Sequence, residues 1–366
     1  MAEGKGIEGL IRSALASLGS YSPHKSPDTL KGKVEVPAES IIKLDANENP
    51  YGCSPKVKQA LASYPNFSVY PDAGQTELRQ LLAGYTGIGA ENIVAGSGSG
   101  DLIDLILRLF VEPGDEVINC PPTFDLYRFE TGISNGTLVQ VPRDKDFAVD
   151  VSAVGAAIGS KTKLIFLSNP NNPTGTLTPR EDILKILDSG LAVVVDEAYY
   201  EFSGETVLPF LSQYQNLMVL RTFSKWAGLA GLRVGYGIFP PKIADWLLKI
   251  KLPYNVNVAA LVAVRESLGD IDYLKGRIKA IIDERERLFK ELQGLKFLRP
   301  LPSRANFILC EVADGEAKKL YQKLQDRGIL VRCFDTPHLE NFIRISVGKP
   351  EHTDALIRTL KQLGEE

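Results

Sequence analysis

The sequence predicts an α/β fold in which a large domain with a mostly parallel sheet is joined to a smaller α+β domain. Three observations support this prediction. The chain has 366 residues, which is long for a single hydrophobic core. Its central part alternates strand-like and helix-like segments. Several strand-like segments are apolar on consecutive residues, which is typical of strands that are covered on both faces.

The central segments follow one another in a regular order. A helix is predicted at TELRQLLAGYTG, then a strand at ENIVAGSGSG that runs into a glycine turn. The helix DLIDLILRLF comes next, with apolar residues at three- and four-residue intervals. The later predicted helices of this part are TFDLYRFETG and EDILKILDSG, and the predicted strands are EVINC, TLVQVP, KLIFLSNP, LAVVVDEAYY, NLMVLRTFS and LRVGYGIF.

The pattern changes at about Lys242, where the chain becomes helical and then alternates again near its end. The C-terminal strands are predicted at ANFILCEV, ILVRCF and FIRISVG, and the helices at AKKLYQKLQDRG and HTDALIRTLKQLG. We therefore predict an N-terminal arm with part of the small domain at residues 1–48. The large domain is predicted at residues 49–255 and the C-terminal small domain at residues 256–366. A cleft between them is the expected ligand site.

Composition excludes several classes of protein. The net charge of −3 and the scattered positions of Lys and Arg give no reason to expect a surface that binds nucleic acid. No apolar run reaches the roughly 18 residues of a membrane span. The N-terminus lacks an apolar signal core, so we expect a soluble intracellular protein, cytoplasmic or in the plastid stroma if a transit peptide was removed. We expect no metal site, and free buried thiols without CxxC spacing at Cys53, Cys120, Cys310 and Cys333.

The glycine-rich turn GSGSGD is a candidate anion site. A strand enters it and a helix leaves it, so Ser99 and Gly100 lie where the first helical N–H groups and the helix dipole favour a negative charge. The turn is not GxGxxG and lacks the lysine of a GxxxxGK[ST] loop, which argues against a nucleotide P-loop. The alternative is a purely structural turn with Ser99 as the N-cap.

Two polar segments follow predicted strands. Asp196 comes directly after LAVVV, at a strand end where ligands bind in open α/β sheets. Burial would raise the pKa of its carboxyl unless a cation such as a protonated pyridine nitrogen pairs with it. Tyr199 is placed to reach a neighbouring ring hydroxyl, and Asn172 in NPNNPTG to donate to a ring oxygen. The alternatives are a capping or salt-bridged aspartate and a tight structural loop.

Lys225 is the candidate covalent residue. A lysine amine attacks a carbonyl only when it is neutral, so its pKa must fall through burial or a cationic neighbour. An isolated lysine is ordinarily a surface residue. Here Thr222, Ser224 and Arg233 surround it with two hydroxyls and a guanidinium that suit a phosphate. Together with the aspartate, these residues predict a site for pyridoxal 5'-phosphate (PLP).

The order of these motifs resembles a known family. GSGSGD, CPPTFDLY, NPNNPTG, DEAYYEF and TFSKWAGLAGLR are similar to fold-type I PLP-dependent enzymes of the class I and II aminotransferase group. Within it, LDANENPYG, VYPD and FIRISVGKPEHTDAL resemble histidinol-phosphate aminotransferases, from about Tyr21 to the end. The resemblance implies a fold-type I architecture with a seven-stranded type of sheet. Trp226, directly after Lys225, departs from the pattern, and we expect it to pack away from the cofactor.

The resemblance implies roles around the cofactor. Lys225 would form the covalent link and carry the proton. Asp196 would pair with the pyridine nitrogen, Asn172 and Tyr199 would bind the ring hydroxyl, and Phe124 would stack on the ring. The ligands of the phosphate end that the resemblance implies are Ser99, Gly100, Ser224 and Arg233, and the position of Thr222 near Lys225 adds it to this set.

It also implies a partner and the substrates. Tyr70 matches a tyrosine that reaches the cofactor phosphate of the other subunit, which implies a homodimer. Arg332 and Arg344 match arginines that face the anionic end of the substrate, and Tyr21 and Asn47 match substrate-side residues.

The activity implied is a reversible transamination in histidine biosynthesis. Histidinol phosphate and 2-oxoglutarate would give imidazole acetol phosphate and glutamate. An aromatic amino-acid aminotransferase or a threonine-phosphate decarboxylase on the same scaffold is the alternative enzyme. A phosphate- or nucleotide-binding protein that uses the glycine turn without catalysis is the alternative from another class.

Overall fold

The computed structural model describes residues 6–12, 15, 37 and 40–365 of the chain. Thirteen strands lie within these residues. In chain order they are β1 (Ile42–Lys43), β2 (Ile93–Gly96), β3 (Glu116–Asn119), β4 (Thr137–Gln140), β5 (Thr162–Ser168), β6 (Ala192–Asp196), β7 (Leu217–Thr222), β8 (Gly235–Ile238), β9 (Leu298–Pro300), β10 (Phe307–Val312), β11 (Ile329–Leu330), β12 (Arg332–Cys333) and β13 (Phe342–Ser346).

Twelve α-helices lie wholly within the same residues. They are α1 (Pro55–Ser63), α2 (Thr76–Thr86), α3 (Ser99–Phe110), α4 (Leu126–Ile133), α5 (Val151–Ala156), α6 (Arg180–Leu187), α7 (Tyr200–Ser203), α8 (Pro241–Ile250), α9 (Val258–Leu268), α10 (Ile271–Gln293), α11 (Ala317–Asp326) and α12 (Pro350–Glu365). Among the described helices, none combines the length and the apolar character that crossing a membrane requires.

A seven-stranded sheet in the order β2-β8-β7-β6-β5-β3-β4 forms the centre of the large part. Its strands pair in parallel except for β8, which is antiparallel to both neighbours, and this confirms the predicted mostly parallel sheet. Helices cover both faces. In β6, Val194 belongs to the core formed with α3 and α8, whereas Val193 and Val195 belong to the core formed with α2 and α6. Consecutive apolar residues are therefore required along the strand.

A second, antiparallel sheet in the order β12-β13-β10-β9 forms the smaller part. Its core is shared with α11, α12 and the C-terminal half of α10. The N-terminal half of α10 belongs instead to the core of the large part, and α9 packs on α1 and α2. The domain limits stay a prediction, and this packing favours a boundary inside α10 over one at residue 255.

The C-terminal segment ILVRCF was expected to be one strand, and that expectation is wrong. Ile329 and Leu330 form β11, which pairs in parallel with β1, whereas Arg332 and Cys333 form β12 at the edge of the antiparallel sheet. The buried Val331 separates the two pairings. The β1–β11 pair attaches the N-terminal arm to the small part. Residues 43–49, called here the connecting segment, continue from β1 into the site.

Candidate active site

The carboxyl ends of the parallel strands bring the predicted residues to one edge of the large sheet. Asp196 ends β6 and Thr222 ends the neighbouring strand β7. The NPNNPTG loop that contains Asn172 follows β5, the neighbour of β6 on the other side. Three motifs that are far apart in the sequence therefore meet because their strands are adjacent.

The candidate anion site of the glycine turn lies where α3 begins. Gly98 has a φ of +85°, and a Cβ atom on it would lie 2.4 Å from Nη2 of Arg233. A Cβ atom on Gly235 would lie 2.5 Å from the backbone nitrogen of Ser99. The guanidinium and the first N–H groups of a twelve-residue helix are thus held close together, and both favour a negative charge at this point.

Two hydroxyls complete this anion site. Ser224 Oγ accepts a hydrogen bond from Arg233 Nη1 at 3.5 Å, and Thr222 Oγ1 accepts one from the Ser224 backbone N–H at 3.1 Å. Both side chains are buried at the end of β7. Gly100 lies in the first turn of α3. The structure therefore brings together all five residues predicted to hold a phosphate.

Asp196 is a buried carboxylate, only 3% exposed. Its Oδ2 accepts a hydrogen bond from the Tyr127 hydroxyl at 2.8 Å, and its Oδ1 accepts one from the Ala198 N–H at 3.1 Å. Burial raises the pKa of Asp196 to about 6, although the Tyr127 bond opposes this shift. A ligand cation beside the carboxylate would offset the cost of its burial.

Tyr127 is a site residue that the sequence analysis missed. It lies in α4, is fully buried and stacks on Phe166 with ring centroids 4.6 Å apart. Phe124, the predicted stacking residue, contacts it edge to face at 5.6 Å. The signal was present in the predicted helix TFDLYRFETG, because Tyr127 comes three positions after Phe124 and such a spacing places two residues on the same side of a helix.

Lys225 extends into the same region. Its Nζ donates a hydrogen bond to the Ala46 carbonyl in the connecting segment at 3.0 Å. Burial, followed by the positive charge of Arg344, lowers the pKa of Lys225 to about 8. A much larger fraction of this amine is neutral near pH 7 than of an ordinary lysine. The next residue, Trp226, is fully buried and stacks on Tyr85 at 5.6 Å.

The two predicted arginines lie on the sheet of the small part, and Arg344 reaches the site. Arg332 and Arg344 lie directly opposite each other on β12 and β13, so their side chains lie on the same face of the sheet. Arg344 Nη1 donates to Asn172 Oδ1 at 2.5 Å, and its Nη2 donates to the Asp45 carbonyl at 2.6 Å. Two like charges directly opposite on neighbouring strands are unfavourable. An anion between them would remove this cost.

The remaining predicted residues differ in where they lie. Asn47 is 1% exposed, and its Nδ2 donates to the hydroxyl of the buried Tyr199 at 3.0 Å. Tyr70 lies on the surface, 77% exposed, and stacks on Tyr254 with centroids 4.5 Å apart. Tyr21 lies outside the described residues.

PLP fits this arrangement in its chemistry. The cofactor carries a phosphate, a ring nitrogen that can be protonated, and an aldehyde. Each of these groups has a suitable partner in the structure. The phosphate matches the turn at Gly98, the ring nitrogen matches the buried carboxylate of Asp196, and the aldehyde matches the amine of Lys225. No group of three or more His, Cys, Asp or Glu side chains that could hold a metal ion occurs in the described part of the chain.

Comparisons with known proteins agree with this chemistry. The model of the aminotransferase class I and II family matches residues 39–360. A histidinol-phosphate aminotransferase of Dehalococcoides mccartyi is 54% identical over 97% of this chain and 98% of its own length. A chloroplastic histidinol-phosphate aminotransferase of Arabidopsis thaliana is 46% identical over 97% of this chain and 86% of its own length.

A solved structure extends the likeness to three dimensions. The histidinol-phosphate aminotransferase of Sinorhizobium meliloti, solved in complex with PLP, superposes with a TM-score of 0.88 at 29% identity, over 96% of this chain and 97% of that one. The family match covers most of the chain, and the mostly parallel seven-stranded sheet agrees with it. The chain belongs to the aminotransferase class I and II family, whose enzymes use PLP as their cofactor.

Proposed function

We propose that this chain transfers the amino group of histidinol phosphate to 2-oxoglutarate, giving imidazole acetol phosphate and glutamate, a reversible step of histidine biosynthesis. The observation that carries the proposal is Arg344 near Lys225, with Arg332 directly opposite it on the neighbouring strand β12. One substrate carries a phosphate and the other carries carboxylates. Planar guanidinium groups bind both kinds of anion through paired hydrogen bonds. The names of the relatives support the same reaction.

Different residues would hold different parts of the cofactor. Arg233, Ser224 and the start of α3 would bind the phosphate. Asp196 would keep the pyridine nitrogen protonated, and Tyr127 holds that carboxylate in place. When bound, PLP takes up the amino group at its aldehyde and withdraws electrons into its ring. The ligands of the ring hydroxyl and the ring face would be Asn172, Tyr199 and Phe124.

Lys225 is assigned two tasks. Its neutral amine would link to the cofactor aldehyde, and burial with a nearby guanidinium makes that neutral form accessible. When the substrate amine takes its place, the freed Nζ would accept the proton from the substrate carbon that carries nitrogen. The Ala46 carbonyl, 3.0 Å from Nζ, holds the amine beside the cleft.

Arg344 would exchange its present partners for the substrate anion. It donates to the Asn172 amide and to the Asp45 carbonyl, which are both neutral acceptors. A hydrogen bond between a guanidinium and a phosphate or carboxylate is stronger than one to a neutral oxygen. The exchange therefore favours substrate binding, and it leaves Asn172 available to the cofactor.

We further propose a homodimer in which Tyr70 contacts the cofactor phosphate of the partner subunit. Its support is an exposed apolar surface beside a groove of about 260 Å³ that Tyr70 and Tyr254 line. Exposed apolar clusters of this kind mark protein contacts. The large apolar residues exposed on this surface are Phe67, Val69, Tyr70, Leu252 and Tyr254.

The compartment stays a prediction. One of the relatives is bacterial and another is chloroplastic, and the cytoplasm and the plastid stroma are both consistent with them.

Steady-state assays separate the alternatives. The purified protein loaded with PLP is given histidinol phosphate, phenylalanine or threonine phosphate, with 2-oxoglutarate as acceptor. We expect kcat/KM for histidinol phosphate to exceed that for phenylalanine by about 100-fold or more, because a doubly charged phosphate binds two guanidinium groups more strongly than a single carboxylate does. Release of carbon dioxide from threonine phosphate, or a preference for phenylalanine, would reassign the substrate. A protein that takes up no PLP and stays colourless would be a non-catalytic binder.

A further inference from the structure

A short chain of hydrogen bonds joins the small sheet to Tyr199. The backbone N–H of Asn47 donates to Ser346 Oγ at 2.8 Å, and Ser346 Oγ donates to Asn47 Oδ1 at 2.9 Å. Asn47 Nδ2 then donates to the Tyr199 hydroxyl oxygen at 3.0 Å. All three side chains are buried. Water therefore does not compete for these bonds.

The bonds to Ser346 fix the direction of the last one. The serine oxygen already accepts from the Asn47 backbone, so its proton is directed to Asn47 Oδ1. With its oxygen used as an acceptor, the amide must present its nitrogen to Tyr199. The phenol oxygen therefore accepts from Asn47, and its own proton is directed to another acceptor.

The backbone around Asn47 is held as firmly as its side chain. Its φ is +55°, a conformation that asparagine adopts more readily than most residues. Its carbonyl accepts a hydrogen bond from Asn306 Nδ2 at 2.9 Å. Both Asn306 and Ser346 belong to the small part, and Ser346 lies two residues after Arg344 on β13, on the same face of the strand. The residue is thus a fixed link between the substrate-binding strand and Tyr199.

We propose that Asn47 is a positioning residue that directs the Tyr199 proton toward the cofactor ring hydroxyl, and that Ser346 holds Asn47 in this orientation. This assignment replaces the direct substrate contact expected for Asn47, and it rests on the proposed function of Tyr199. The Asn47 bond makes Tyr199 a stronger donor, because a phenol that accepts one hydrogen bond gives its own proton more readily.

The test is a pH titration of the visible absorbance of the PLP-loaded protein without substrate. When the PLP-loaded protein loses the proton that its visible absorbance reports, a negative charge remains on the ring oxygen. A hydroxyl that donates to this oxygen stabilises the charge. A weaker donor therefore raises the midpoint of the absorbance titration. Asn47→Ala is expected to raise it by about 0.4 to 1 pH unit, the size of one neutral hydrogen bond. Asn47→Asp is expected to raise it more, because a carboxylate would accept the Tyr199 proton itself.

Two further variants make the result specific. Ser346→Ala should raise the midpoint in the same direction by a smaller amount, and it serves as the test if the Asn47 variants do not fold. Asn49→Ala is the matched control, because Asn49 is the other buried asparagine of the connecting segment and donates to the Trp226 carbonyl. Its titration should follow that of the wild type. Lys225, Asp196 and Arg344 are kept in every variant.

The decisive comparison uses Tyr199→Phe. If Asn47 acts through the hydroxyl, Asn47→Ala should add no further shift in the Tyr199→Phe background. Additive shifts, or wild-type midpoints for both Asn47→Ala and Ser346→Ala, overturn the proposal. A Tyr199→Phe protein that titrates like the wild type would overturn the assigned role of Tyr199 and this proposal with it. A wild-type protein that shows no band with PLP would instead refute the proposed cofactor chemistry.

Discussion

The phosphate end and the substrate end of the site are built in different ways. The proposed phosphate end combines the backbone N–H groups at the start of α3 with the Arg233 guanidinium and the Ser224 hydroxyl, and Gly98 and Arg233 lie in turns beside strands of one sheet. Both residues have a positive φ. The proposed substrate end, at Arg332 and Arg344, uses long side chains from two neighbouring strands of the other sheet. Arg344 donates to the connecting segment and to the NPNNPTG loop.

This difference separates what must stay fixed from what must change. A cofactor phosphate would stay in place through the reaction, so a site built from a helix start and short turns suits it. Two different substrates must bind in turn, so the arginines need partners that they can exchange. The predictions below test this division, from the largest expected effect to the smallest.

Lys225→Ala should lower kcat by about 10³-fold or more, because no other amine is assigned to the covalent link and the proton transfer. Cofactor should still bind through the phosphate end, but without the covalent band. Absorbance spectra and turnover with histidinol phosphate measure both effects. Lys225→Arg is the matched variant that keeps the charge, and it should be equally inactive. Substantial turnover by either variant would contradict the assignment.

Arg344→Ala should raise KM for both substrates by about 10- to 100-fold, because each loses charge-assisted hydrogen bonds. PLP affinity should change little if the two ends are independent. Arg299→Ala is the control, since Arg299 is an exposed arginine of the same small sheet that pairs with Glu311. A KM that rises for only one substrate would show that the two anions bind at separate places.

Gly98→Ala should weaken PLP binding by roughly 10-fold, because alanine is strained at this φ and its Cβ would collide with Arg233. KM for histidinol phosphate should be unchanged in protein saturated with PLP. Gly84→Ala is the control, because a Cβ there meets nothing within 4 Å inside α2. It should be stabilising by about 0.5–1 kcal/mol. Equal PLP affinities for the two variants would refute the backbone site.

The rate of PLP uptake should depend on pH through Lys225, with the smallest effect of the four. Only the neutral amine reacts, and its lowered pKa of about 8 means that the rate should rise with pH and level off above roughly pH 8. If the lysine had an ordinary pKa, the rate of PLP uptake would keep rising past pH 10. Stopped-flow growth of the visible band between pH 6 and pH 10 distinguishes the two, and a midpoint near 10 would mean that the amine is solvated.

The phosphate end was largely predictable from the sequence, because short motifs form it. GSGSGD and the segment from Thr222 to Arg233 each carry their ligands within a few residues. Glycine at a strand-to-helix turn and arginine near hydroxyls have local physical meanings. The mostly parallel character of the large sheet was predictable from the residues themselves, since strands buried on both faces require consecutive apolar residues, whereas the seven-stranded type was implied by the family resemblance.

The links between motifs were not predictable in the same way. The Tyr127 bond to Asp196 depends on how α4 packs on the sheet, and the Asn47 bond to Tyr199 joins residues 152 positions apart. The break at Val331 depends on which strand lies beside each half of ILVRCF. No local pattern records these partners, because tertiary packing selects them.

Helix α10 has a consequence for how the molecule unfolds. At 23 residues it spans roughly 34 Å, and its two halves complete two different hydrophobic cores. If either core unfolds, half of α10 loses the apolar residues that pack against it, although the other core still requires this helix. Heat should therefore disrupt both parts in one calorimetric transition rather than two, despite their separate sheets.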